Sequence, residues 1–431
     1  MALREKKTIY VFSDWLGLEK AQFMGTLLAV PSRGKEIFSF QYDPNWLKSG
    51  HSCILDPKLG LVVGPQYPNK VHPNFGLFLD SSPDRWGRTL MTRREALRAR
   101  KEKRQERRLL ESDFLLGVFD GYRMGALRFK RDLDGPFLDD DQELAAPPWA
   151  KLRALENASL QLEQTNAEGK KDYAKWLKLL IAPGGSLGGA RPKASVVDEH
   201  GSLWLAKFPS KRDDTNVGAW EYIVHQLALM AGIEVAEAEI KKFSSEHDTF
   251  LTKRFDRRLE KRLHFASAMT LLEKVDGMGA EEGVSYLDLA DFITRNGSQV
   301  KKDLAQLWRR VVFNISVSNV DDHLRNHGFL LTDRGWKLSP AYDMNPVADG
   351  NGLKLNISET DNSQDLGLAL EISGNFRLKK SEAEKTMGEV LRAVRQWKKI
   401  AAKFVSKGEV LRMNGAFRVQ TSDRSIDDTI P

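Results

Sequence analysis

The first part of the chain alternates between apolar and polar positions. From residue 8 to about residue 73, short apolar runs (TIYVF, GTLLAV, IFSFQYD and LGLVV) are separated by turn residues such as Val30-Pro31-Ser32-Arg33-Gly34 and Asp43-Pro44-Asn45, which predicts a small antiparallel sheet. Between residues 84 and 112 the pattern changes. A few apolar positions, Leu90, Met91, Ala96, Leu97, Leu109 and Leu110, punctuate a charged stretch, and this predicts a long polar helix. GALRFK at 125–130 reads as a further strand. Residues 131–148, rich in Asp and Pro, make the best linker. Beyond it the spacing predicts a helix over 152–166, a Gly-rich turn, strands at 193–197 and 203–208, a helix over about 216–231 and a strand at 250–255. The remainder reads as helical, notably 286–293, 304–317 and 387–404, with a polar tail from 420 expected to fray.

The expected fold class is therefore α+β: a small N-terminal β-rich domain on a two-lobed body whose second lobe is mostly helical. The division expected is 1–135, 136–260 and 261–431. A chain of 431 residues, 41% hydrophobic, is long enough for several buried cores. Its single cysteine, Cys53, forbids an intrachain disulfide, and nothing points to an oxidising compartment or a cysteine-ligated metal site, which favours the cytoplasm. The opening residues lack the apolar core of a signal peptide, and no run of about 18 uncharged apolar residues follows, so no membrane span is expected. The net charge of +7 suits an anionic partner such as nucleotide, nucleic acid or an acidic protein surface, although many basic proteins are merely soluble.

The chemistry concentrates in Ser318-Asn319-Val320-Asp321-Asp322-His323-Leu324-Arg325-Asn326-His327, followed by Ala341-Tyr342-Asp343. Phosphoryl transfer from ATP needs a carboxylate to orient the attacking hydroxyl and oxygen ligands for Mg2+. Asp321 and Asn326 stand at the spacing of a protein-kinase catalytic loop, and Asp343 follows an apolar hairpin where a metal-binding carboxylate is needed. Any one of these alone reads as a cap or turn residue, but the joint spacing favours a site. His323 and His327 lie on an apparent loop with no cysteine or third histidine near, a poor zinc pattern.

Upstream, Pro183 to Lys193 includes Ser186, Gly188 and Gly189, a Gly-rich turn whose backbone can approach phosphate oxygens; it lacks the Gly-Lys-Ser/Thr of a Walker A loop. Lys207, the only lysine in the strand LWLAKF, sits where a nucleotide-binding lysine belongs, and Glu221 on the next helix is its candidate partner. A solvated surface pair is the plainer alternative for both. The basic run over 85–108, with Arg93, Arg94, Arg98 and Arg100 at its centre, is a candidate contact for DNA or an acidic partner; a solvated helix laced with Glu-to-Arg pairs explains it equally well.

Together, FSFQYD (38–43), SPDRWGR (82–88), the Ser186 to Lys193 loop, KRFDR (253–257), Asp321 to Asn326 and Tyr342-Asp343 resemble the HipA family of toxin–antitoxin kinases over nearly the whole chain. The resemblance implies a protein-kinase-like body using ATP and Mg2+. It implies Asp321 as catalytic base, Lys207 as the nucleotide-binding lysine, and Asn326 and Asp343 as metal ligands. Ser186 takes the place of an autophosphorylated serine whose phosphate would compete with nucleotide for the same donors. The implied partners are a protein substrate, a HipB-like helix-turn-helix antitoxin and, through it, operator DNA. Arg191-Pro192 departs from the Gln-Glu usual in the family, and proline removes a backbone donor there. Two other readings remain open, a small-molecule phosphotransferase and a non-catalytic co-repressor.

Overall fold

The structure, a computed structural model, describes residues 5–138, 147–181, 189, 191–258 and 260–419. It divides into two compact units. The first takes residues 1–214, 237–276 and 328–331, and the second residues 215–236, 277–327 and 332–431. The expected linker falls partly, and the expected frayed tail wholly, outside the described residues.

The first unit opens with β1 (Lys7–Ser13), β2 (Gln22–Ser32) and β3 (Lys35–Tyr42), all antiparallel. Alternation decides which face is covered: Ile9 and Val11 are fully buried, whereas Tyr10 is partly exposed. Arg33 and Gly34 both have positive φ, 46° and 78°, between the paired Ser32 and Lys35. That is the two-residue turn whose twist matches a hairpin. After α1 (Arg85–Lys101), β4 (Leu127–Lys130) pairs with β1 and completes the order β3-β2-β1-β4.

Two sequence expectations fail here. LGLVV at 59–63 forms no strand, and Val63 is 74% exposed. Gly60, Gly64 and Pro65 break the run, and β3 instead takes a single bridge from Gln66 to Phe40. The long polar helix also stops early. Lys103 adopts φ 51°, and Arg104 folds back to give the buried Glu95 a 2.6 Å ion pair, so the residues beyond Lys101 cap the helix instead of extending it.

A second antiparallel sheet follows, covered by α2 (Leu152–Leu162) and α3 (Tyr173–Ile181). Its strands are β5 (Lys193–Val197), β6 (Leu203–Lys207), β7 (Ala238–Lys241) and β8 (Thr249–Lys253), in the order β5-β6-β8-β7. Leu155, Ala158 and Leu177 pack with Val196, Ala206 and Leu251 in one apolar cluster that also takes Trp86 and Leu90 of α1. β9 (Phe265–Ser267) pairs with β10 (Gly328–Thr332), with Phe265 opposite Leu330.

The second unit is mostly helical: α4 (Val217–Met230), α5 (Tyr286–Asn296), α6 (Val300–Ser316) and α7 (Lys380–Val394), with β11 (Gly335–Leu338). α6 is its axis, with Leu304, Leu307, Trp308, Val311, Phe313 and Ile315 all fully buried. No helix among the described residues is long and apolar enough to cross a membrane.

The KRFDR segment builds an ion cluster in the first unit. Asp256 is fully buried and takes Arg254 at 2.8 and 2.6 Å, Arg257 at 2.6 Å and the Gly125 N–H at 2.9 Å. Burial works to raise its pKa, but the two guanidinium charges and the Gly125 bond prevail and hold it below the usual carboxylate range. Replacing Asp256 by Ala strands two cations and should cost about 3–5 kcal/mol in urea unfolding. Because the native pKa is depressed, the carboxylate's contribution is complete above the unfolded value and is lost only as pH falls through the native one.

Candidate functional site

The loop that follows α6 holds its shape by short-range bonds. Ser318 adopts φ 47°, and the chain then folds so that His323 N donates to the Asp321 carbonyl at 2.9 Å and Asn326 N to the His323 carbonyl at 2.8 Å. The Asn326 side-chain amide donates back to the same Asp321 carbonyl at 3.0 Å. Spacing of five residues is thus the reach of an amide across one loop, and its effect is to fix the backbone from which the exposed Asp321 carboxylate projects. Asn326 Oδ1 is buried and accepts no hydrogen bond among the described residues.

Asp343 comes to this loop on a second segment. Tyr342 donates its hydroxyl to the Arg325 carbonyl at 2.7 Å, Asn345 N donates to Asn319 Oδ1 at 3.2 Å, and Val347 N to the Ser318 carbonyl at 3.1 Å. Asp343 itself adopts φ 59°, a left-handed conformation that Asp tolerates better than most residues. The structure therefore brings the Asp321, Asn326 and Asp343 segments together. A buried amide oxygen without a donor fits a cation ligand, and one amide plus one carboxylate is the sparse protein set that Mg2+ accepts when phosphates and water complete its shell.

Beneath the loop lies a group that sequence reasoning missed. Asp322 is buried, and its Oδ2 accepts from the Tyr286 hydroxyl at 2.6 Å, Asn314 Nδ2 at 2.6 Å and His327 Nε2 at 2.8 Å. Burial alone would raise its pKa, yet His327 and the hydroxyl bond outweigh it and keep the carboxyl below its ordinary value. The Tyr286 hydroxyl is pushed well above its usual pKa by burial and by Asp322, so it remains a donor. Asn314 also donates to this site from inside the apolar run of α6, and its Oδ1 accepts from Asn319 at 3.1 Å. A lone amide in such a run was the available signal.

In the first unit, Lys207 ends β6, buried, directly opposite Lys193 of β5 and Phe250 of β8. Two like charges face each other across that ladder, which is unfavourable unless one is neutralised. Asp84 does so: Lys193 Nζ lies 2.7 Å from Asp84 Oδ2, both groups buried, and 3.3 Å from the Gly189 carbonyl. Asp84 also caps α1 through the Gly87 N–H at 2.8 Å, and Trp86 donates its indole N–H to the Lys193 carbonyl at 3.1 Å. The SPDRWGR motif thus fastens α1 to the strand behind the Gly-rich loop, and Lys193 is engaged there. Gly189 has φ 89°. Ser186 and Gly188 lie outside the described residues. Arg191 pairs with Asp213 at 2.9 Å, and the Pro192 carbonyl accepts from Phe208 N at 2.9 Å. Glu221 is buried on α4, in the other unit from Lys207.

Much of the basic run is spent internally. Arg88 grips Glu111 with two 2.7 Å bonds, Arg93 donates to the Leu162 carbonyl at 2.8 Å, and Arg100 pairs with Glu168. Arg94 is half-buried, whereas Arg98 is exposed.

Residues 185–398 match the family model of the HipA-like C-terminal domain. The chain carries a HipA-like C-terminal domain. That range includes Lys193, Lys207, the Asp321–His327 loop and Asp343, and leaves out Asp84 and the basic helix. The Shewanella oneidensis serine/threonine-protein kinase toxin HipA is 30% identical over 145 residues, 29% of this chain and 33% of that protein. An inferred kinase of Haemophilus influenzae is 28% identical over 185 residues, 38% of this chain and 53% of that one. The aligned stretches thus span about half or less of these relatives. Shewanella oneidensis HipA, solved with HipB and operator DNA, superposes with a TM-score of 0.64 over 94% of each chain at 19% identity, so the chain shares the fold of that protein.

Asp322→Ala should leave three buried donors without their acceptor and cost about 2–4 kcal/mol. Tyr286→Phe should cost about 1 kcal/mol. Urea titration at neutral pH measures both. The Asp322 penalty should shrink as pH falls through the depressed native pKa, since its contribution is complete only above the unfolded carboxyl value.

Proposed function

We propose that this protein is a serine/threonine protein kinase of the HipA toxin type, dependent on ATP and Mg2+ and arresting growth through its substrate. The observation that carries the reading is the Asp321–Asn326 loop: an exposed carboxylate on a backbone fixed by the Asn326 amide, whose own oxygen is buried and unpartnered. Bound ATP with Mg2+ supplies the transferable phosphoryl group and neutralises its charge. Asp321 orients the substrate hydroxyl and takes its proton. Asn326 and Asp343 hold the metal, while Lys207, oriented by Glu221, meets the nucleotide phosphates and the backbone at Gly188 and Gly189 approaches them. Lys193 keeps the strand behind that loop in place through Asp84.

Ser186 is the proposed autophosphorylation site. A HipB-like antitoxin is the proposed partner, and operator DNA is reached through it; of the basic helix, the exposed Arg98 is better placed for such contact than Arg93 or Arg100, which are engaged within the chain. The cytoplasm is the proposed compartment, and 1–135, 136–260 and 261–431 the proposed functional division.

Asp321→Ala should lower phosphate transfer from labelled ATP by at least about 10²-fold and abolish toxicity, with thermal stability unchanged. Full activity in that variant would end the reading. Labelled metabolite in place of labelled protein would favour a small-molecule phosphotransferase, and operator repression without any transfer would favour a co-repressor. Mass spectrometry of the wild-type protein should find phosphate on Ser186 and none there in Asp321→Ala.

A further inference from the structure

β3 is an edge strand, and half of that edge is open. Phe40 exchanges two backbone bonds with Gln66, at 2.9 and 2.8 Å, on the side away from β2. Because bonding direction alternates along an antiparallel strand, Glu36 and Phe38 turn their N–H and C=O groups to the same side. No backbone partner meets them there among the described residues.

The chain beyond Gln66 does not close this edge. Pro68 and Pro73 withhold donors, and a turn from His72 N to the Asn69 carbonyl holds the segment off the strand. Between them lies a groove of about 500 Å³ lined by Lys35 to Phe38, Tyr67 to Pro73 and Arg108 to Glu111. Its apolar surface is conspicuous for residues beside a strand edge: Ile37 is 53% exposed, Tyr67 62% and Val71 71%.

Charge selects the occupant. Both carboxylates in the groove are already engaged, Glu36 with Ser112 and Lys7, and Glu111 with Arg88. Lys35 and Lys70 are exposed and have no anionic partner among the described residues. Unpaired edges of this kind are normally blunted, because they template a further strand. We propose that this groove receives an extended, acidic segment of a partner protein, which adds to β3 as an antiparallel strand at Glu36 and Phe38. Its apolar side chains would rest on Ile37, Tyr67 and Val71, and its carboxylates would meet Lys35 and Lys70. This surface is independent of the Asp321 site, so either reading can fail alone.

The test uses the full chain and a fluorescein-labelled eight-residue peptide, Val-Thr-Val-Thr-Glu-Thr-Glu-Thr, whose apolar and acidic side chains share one face as Ile37 and Lys35 do, read by anisotropy. Saturable binding is expected, with about tenfold weaker binding of the counterpart carrying Lys in place of Glu and of the Lys35→Glu/Lys70→Glu variant. Both substitutions are on exposed side chains, so the melting temperature should not move. N-methylating one alternate set of peptide amides should abolish binding, and methylating the other set should spare it, because only one set faces the strand. Hydrogen exchange at Glu36 and Phe38 should slow on binding. No saturable binding, equal affinity for the acidic and basic peptides, or indifference to both methylation patterns would overturn the proposal.

Discussion

A carboxylate shut away from water must find its donors in the chain, and the loop that carries Asp321 is organised around that requirement. Asp322 draws a hydroxyl from the start of α5, an amide from the end of α6 and an imidazole from its own loop onto one oxygen. Removing any donor leaves the charge less compensated in a medium where compensation matters most. Neighbouring residues differ in exposure as a result: Asp322 is buried as an anchor, and Asp321 is exposed.

The first unit solves a related problem with cations. Lys193 and Lys207 are opposed across a strand pair, and Asp84 neutralises Lys193. The carboxylate serves twice, as a helix cap and as a counter-ion, and so the beginning of α1 is tied to the strand behind the Gly-rich loop. KRFDR follows the same logic, with Asp256 holding two arginines. In both cases a buried carboxylate ties separate segments of the chain together.

The parts of this arrangement that were legible in sequence are local. Strand alternation in 8–42, the Arg33-Gly34 turn and the five-residue reach from Asp321 to Asn326 all depend on neighbours along the chain. What escaped depends on distant partners. Tyr286 lies 36 residues from Asp322, and Asp84 lies 109 from Lys193, so neither contact has a period or spacing to betray it. The strand expected at 59–63 failed for a nearer reason: Gly60, Gly64 and Pro65 break its apolar run. Charge density in 85–108 was legible, but its destination was not: Glu111 and Glu168 and the Leu162 carbonyl, which absorb Arg88, Arg100 and Arg93, lie outside the run.

The interleaving of the two units has a consequence for synthesis. The chain leaves the first unit after Asp214, returns at Glu237, leaves again after Asp276 and comes back for only four residues, 328–331, which pair β10 with β9. Those four residues emerge from the ribosome immediately after the Asp321–His327 loop. A nascent chain therefore cannot close the first unit's last pairing until the whole loop has been made, and a product truncated before Gly328 lacks that strand altogether.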